Sequence, residues 1–114
     1  MSGTAPGGDE LLLILGTLAN PHRLRVVAAL THRRRYVSEL ARELGISRAL
    51  LQLHLKKLES AGLVTAQLEL SDDGKAMKYY EVTEFAIELT PRRVAAAVRT
   101  LAAGHDADGK GTAP

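Results

Sequence analysis

Arg48, Gln52 and Lys56 stand four residues apart near the middle of the chain. On an α-helix such positions fall along nearly one side, so the three form a row of hydrogen-bonding groups. A guanidinium in this place can bond guanine O6 and N7, and a carboxamide can pair with adenine N6 and N7. An ammonium further from the helix start suits a phosphate. Ser47, Ala49 and Leu53 flank the row, and Ala49 or Leu53 could touch a thymine methyl. The chemistry is that of a helix reading the major groove of duplex DNA. An ordinary solvated helix face uses the same residue types, so the elements around the row have to decide.

Those elements are legible. Leu51, Leu55 and Leu58 make an i, i+4, i+7 stripe on the opposite side, which must be buried. In V37-S-E-L-A-R-E-L-G-I-S47, Ser38 should cap a helix over Glu39–Leu44, with Leu40, Ala41 and Leu44 on one face. Gly45 should end it in a left-handed turn, and Ser47 should cap the helix from Arg48 to about Ser60, which Gly62 ends. Two short helices joined so tightly through a glycine meet at a steep angle, which presents the second one rigidly. A66-Q-L-E-L70 and M77-K-Y-Y-E-V-T83 read as strands, with Asp73-Gly74 as a hairpin signal between them. A hairpin directly after A61-G-L-V64 makes a winged helix, and F85-A-I-E-L89 could lengthen the sheet. At the wing tip, Lys75 and Lys78 are the candidate DNA contacts. Asp72 and Asp73 would repel phosphate.

Upstream, a helix should begin near Asp9. Its Leu11, Leu12, Leu13, Ile14, Leu15 and Leu18 wrap nearly round the axis, which calls for a second packing partner, most simply another subunit. Asn20-Pro21 starts the next helix, through H22-R-L-R-V-V-A-A-L30, with Leu24, Val27, Ala28 and Thr31 spaced for a buried face and H32-R-R-R-Y36 as a loop. Thr90-Pro91 opens a last helix over Arg92–Ala103. The expected organisation is one domain over residues 9–103, with disordered tails over 1–8 and 104–114.

Composition narrows the function. The 114 residues are 46% hydrophobic but only 4% aromatic, so the core must be aliphatic, which suits a mainly α fold. The absence of cysteine excludes disulfides, thiolate metal sites and cysteine nucleophiles. L11-L-L-I-L15 follows two acids and is too short to span a membrane, so the expected location is cytoplasmic. Net charge is only +2, yet Pro21–Ala66 holds nine cations against three acids, a local balance of +6. Gln67–Thr90 has a balance of −4. Basic clustering around the candidate row is the footprint of a phosphate-binding surface. No catalytic constellation is readable, so neither an enzyme nor a cofactor is expected.

L18-A-N-P-H-R-L-R-V-V-A-A-L30, V37-S-E-L-A-R-E-L-G-I-S47, H54-L-K-K-L-E-S-A-G-L-V64 and Y79-Y-E-V82 together resemble the ArsR family of winged-helix transcriptional regulators, over about residues 10–103. The resemblance implies a homodimer bound to a palindromic operator, usually as a repressor. It also implies a dimer interface of first and last helices, here Leu11, Leu12, Ile14, Leu15, Leu18, Val94, Val98 and Leu101. His54 occupies a position where the family often has His, and is expected to pack or to contact phosphate. Ser38 joins the candidate contacts.

The chain also departs from the family. Tyr36 and Ser38 stand where many relatives carry a Cys-Val-Cys metal segment, and the last helix lacks the Asp, His and Glu that others use. His105, Asp106 and Asp108 lie in a Gly-flanked tail that would not fix ligand geometry. The reading is therefore a sequence-specific regulator of double-stranded DNA, a homodimeric repressor without a recognisable metal site, its effector open. Half-sites would lie about 34–36 Å apart or a multiple of that. The acidic wing keeps alive a protein-interaction module with weak DNA binding, and salt-dependent, sequence-blind coating of DNA is a third possibility.

Overall fold

Polar caps and left-handed glycines set most element boundaries. The structure, a computed structural model, describes residues 6–102. The order is α1 (Gly8–Leu18), α2 (Pro21–His32), β1 (Arg35–Tyr36), α3 (Val37–Leu44), α4 (Arg48–Ser60), β2 (Val64–Leu70), β3 (Ala76–Val82) and α5 (Pro91–Val98). The readings that concern residues 1–5 and 103–114, including His105, Asp106 and Asp108, lie outside the described residues.

Residues 16–85 form one compact unit. Asn20 Oδ1 accepts from Arg23 N–H at 3.1 Å with Pro21 behind it, so α2 starts where its cap and proline require. Gly45 (φ +69°) ends α3 and Gly62 (φ +77°) follows α4, both in the left-handed region that residues with a Cβ avoid. Leu40, Leu51, Leu55 and Leu58 are fully buried, and Val26, Leu30, Leu63 and Val64 complete the core around them. The sheet is antiparallel in the order β1-β3-β2, with Val64 opposite Val82 and Leu70 opposite Ala76. Gly74 (φ +86°) turns the hairpin.

Five local expectations need correction. Arg35 and Tyr36 are not loop but a short third strand, paired with Tyr80 and Tyr79. Two residues are too few to show alternation. Residues 85–89 form no strand: β3 ends at Val82 and the chain runs on without strand pairing to α5. α2 buries Val26, Ala29 and Leu30, while Leu24 is 55% exposed. V26-V27-A28-A29-L30 offers an apolar stripe on two adjacent sides, and only packing chooses between them. Ser38 is not a cap: α3 begins at Val37 directly from β1, and Glu39 reaches back to accept from Tyr36 N–H at 3.0 Å. α5 also stops early, its last residues tightening into i→i+3 bonds such as Leu101 N–H to Val98 C=O at 3.2 Å.

Residues 6–15 and 86–102 are described residues of a second unit. Gly8 N–H donates to Thr100 Oγ1 at 2.7 Å and Ala102 N–H to Asp9 Oδ1 at 3.1 Å, tying the start of α1 to the end of α5. A Cβ on Gly8 would stand 2.3 Å from Ala97 C=O, so the glycine is what lets the two helices approach.

Leu55→Ala should cost about 2–5 kcal/mol, the usual loss for emptying a buried leucine site. Gly45→Ala should cost about 1–2 kcal/mol from backbone conformation alone, since its Cβ would meet nothing within 4 Å. Urea-unfolding midpoints with an unchanged slope would measure both.

Candidate nucleic-acid interface

α4 is held on one side and free on the other. Ser47 Oγ accepts from Leu50 N–H at 3.0 Å and starts the helix. Leu51, Leu55 and Leu58 then anchor it against α2, α3 and β2. The outer side exposes Ser47, Arg48, Ala49, Gln52, Leu53 and Lys56, so the expected row exists as one accessible surface. Lys57 belongs to it too, and Leu53 is 61% exposed. Ser38 lies exposed on the first turn of α3.

His54 is the exception. It is only 8% exposed, on the packed side of α4, and its Nδ1 lies 3.2 Å from a guanidinium nitrogen of Arg23. Burial, then the charges of Arg23, His22 and Lys57, push its pKa below the ordinary imidazole value. A buried ring pinned from α2 supports the helix and does not form part of its outer surface.

The basic stretch is less basic than its composition. Arg33 pairs with Glu39 at 3.0 Å, Arg34 with Glu69 at 3.2 Å, and Arg35 with Glu43. Among the described residues no ion pair engages Arg48, Lys56 or Lys57. Local pairing therefore removes the cations beside β1 and leaves those of α4 available.

The hairpin has two different faces. On one, Tyr36 donates to Glu69 at 3.0 Å, Tyr36 meets Tyr79 edge-on, and the Arg34 guanidinium lies 3.9 Å over the Tyr79 ring. The bond to Glu69, then burial, raises the Tyr36 phenol. Sequence patterning gave no sign of this network, because it joins residues 33 or more positions apart. The other face carries Lys78, 5.6 Å from the Tyr80 ring centroid, with Leu68 and Leu70 at 70% and 73% exposure. At the tip, Asp73 accepts from Ser71 Oγ and from Lys75 N–H at 3.4 Å. These bonds hold its carboxyl below the ordinary range, so this acid is used to build the turn. Asp72 and Lys75 are exposed beside it.

A helix presented this way, followed by a three-stranded wing, is shared with known proteins. Residues 18–67 match the family model of a helix-turn-helix domain. An HTH-type transcriptional regulator of Methanocaldococcus jannaschii is 38% identical over 68 residues, covering 60% of this chain and 70% of that protein. The chain belongs to the helix-turn-helix transcriptional regulators.

Solved structures of such regulators carry the likeness further. The homodimeric winged helix-turn-helix DNA-binding domain of Mb0332 from Mycobacterium bovis, a possible ArsR-family regulator, superposes with a TM-score of 0.59 at 27% identity, over 72% of this chain and 75% of that one. The transcriptional repressor BigR of Xylella fastidiosa gives 0.54 at 29%, over 67% and 72%. In this regulator no group of three His, Cys, Asp or Glu among the described residues could hold a metal ion, and no helix among them is long and apolar enough to cross a membrane. It is a DNA-binding transcription regulator.

Lys75 N–H also donates to Ser71 Oγ at 3.1 Å, a hydroxyl that itself donates to Asp73, so Asp73→Asn should keep the Lys75 amide slow to exchange, whereas Asp73→Ala, which releases Ser71 as well, should speed it. The bond favours the ionised acid, so its support is complete above the ordinary carboxyl pKa and is lost as pH falls below it. Hydrogen exchange followed by NMR at neutral and acidic pH would show both effects.

Proposed function

We propose that the chain is a homodimeric repressor that binds a dyad-symmetric operator sequence-specifically in the cytoplasm. The observation that carries this reading is the unpaired row Arg48, Gln52 and Lys56 on the exposed side of a helix whose other side is fully buried. Arg48 and Gln52 would contact base edges, Ala49 or Leu53 a thymine methyl, and Ser47 and Lys56 the backbone. Ser38, Lys75 and Lys78 would add phosphate contacts, and His54 would act from behind the helix.

Support for the dimer comes from the second unit. Leu12, Val94 and Val98 are 41–54% exposed around a small apolar cleft between α1 and α5, which Leu11, Leu15 and Leu101 also line, and Leu13 is 49% exposed elsewhere on α1. Leu11 and Ile14 are buried within the chain itself and Leu18 is half-buried, while exposed Leu13 adds apolar surface on α1. The homodimeric Mb0332 domain supports the same assembly, and the repressor BigR supports repression. The exposed Leu68 and Leu70 favour a second reading, a wing that docks a protein partner.

Selection of duplexes from a random pool, then anisotropy against a scrambled control, tests the reading. The expected preference is about 10³-fold or more at near-physiological salt. Arg48→Glu should lose about tenfold or more in affinity while staying folded, and Lys56→Ala should flatten the salt dependence by about one phosphate. Equal binding to all duplexes would move the protein-partner reading ahead. Val98→Glu should convert dimer to monomer in sedimentation equilibrium, because it places a charge in the apolar patch.

A further inference from the structure

Arg23 is engaged three ways at the base of α4. Its backbone N–H takes the Asn20 cap, its Nε donates to Thr17 C=O at 2.6 Å in the last turn of α1, and its terminal nitrogen lies 3.2 Å from His54 Nδ1. The guanidinium has only donors, so Nδ1 must offer a lone pair, which places the ring proton on Nε2. That Nε2 is buried without a partner among the described residues, so within them Arg23 makes the one polar contact to the ring. His22 stacks at a tilt with ring centroids 5.2 Å apart.

We propose that Arg23 and His54 are positioning residues that brace α4 for DNA, and that the brace holds only while the His54 ring is neutral, making DNA binding acid-sensitive. A protonated ring would turn an N–H toward the guanidinium, setting two donors and two cations against each other 3.2 Å apart. The groups whose charge acts on His54 are Arg23 and His22 from α2 and Lys57 from α4, with no acid among them. Burial adds to the same bias. The sign follows: folding favours the neutral ring, so its support is complete above the ordinary imidazole value near 6.5 and declines as pH falls below it. Positive charge gained on the exposed surface would instead strengthen DNA binding, so the direction of the pH effect separates the two causes.

This rests on the reading of α4 as the DNA-contacting helix, and the test keeps the two apart. His54→Asn puts an amide oxygen where Nδ1 sits, an acceptor that does not titrate. Affinity of the full chain for the selected duplex would be followed from about pH 7.5 to 5.5, with folding checked by circular dichroism. The wild type should weaken severalfold on acidification, whereas the affinity of His54→Asn, whatever its value at neutral pH, should stay flat. Parallel loss in both proteins, or stronger wild-type binding in acid, would overturn the brace. If no protein binds DNA at neutral pH, the groove reading has failed. Nitrogen-15 NMR of the imidazole then judges the brace alone: an Nε2–H tautomer titrating below the ordinary range supports it, and an Nδ1–H tautomer overturns it.

Discussion

The constraint on which the larger unit depends is the burial of one leucine stripe, Leu51, Leu55 and Leu58, on a helix whose other side must stay in water. Each leucine is fully enclosed, so the helix cannot rotate about its axis without pulling apolar surface out of the core. That fixes the azimuth of Arg48, Gln52 and Lys56. Gly45 and the Ser47 cap fix where the helix begins, and the turn after Gly62 fixes where the chain leaves for the wing. The proposed base reading would depend on this rigidity, because hydrogen-bond geometry at a base edge tolerates little displacement.

Electrostatics sharpens what packing establishes. Arg33, Arg34 and Arg35 lie at the entry to α3, and each finds a carboxylate. Exposed pairs of this kind add little stability, but they withdraw cations from the competition for phosphate. Arg35 differs, since it is 9% exposed and bonds Glu43 of α3 from β1. Losing Glu43 would leave a nearly buried charge unpaired, which is far costlier than losing a surface pair. The sheet and the helix pair are thus joined by an ion pair as well as by leucines.

In the second unit, Gly8 and Ala97 bring α1 and α5 together, and the caps at Thr100 and Asp9 close the ends. What remains outside is aliphatic. A chain of 114 residues buries a modest share of its surface alone, and Leu12, Val94 and Val98 leave apolar surface around the α1–α5 cleft.

The sequence by itself determined the elements whose cause is local: the caps at Asn20, Ser47 and Thr90, the left-handed glycines at 45, 62 and 74, the hairpin turn, and the buried leucine stripe of α4. Each depends on residues within one or two turns of one another, so spacing and side-chain type suffice. The tertiary structure alone decided the rest. Which of two apolar sides of α2 is buried, that Arg35 and Tyr36 pair as a strand, that Tyr36, Glu69 and Tyr79 form one network, and that His54 faces Arg23 all depend on contacts between distant segments. Hydrophobic periodicity names a face only where one side is apolar, and a hydrogen bond across 31 positions leaves no periodic trace.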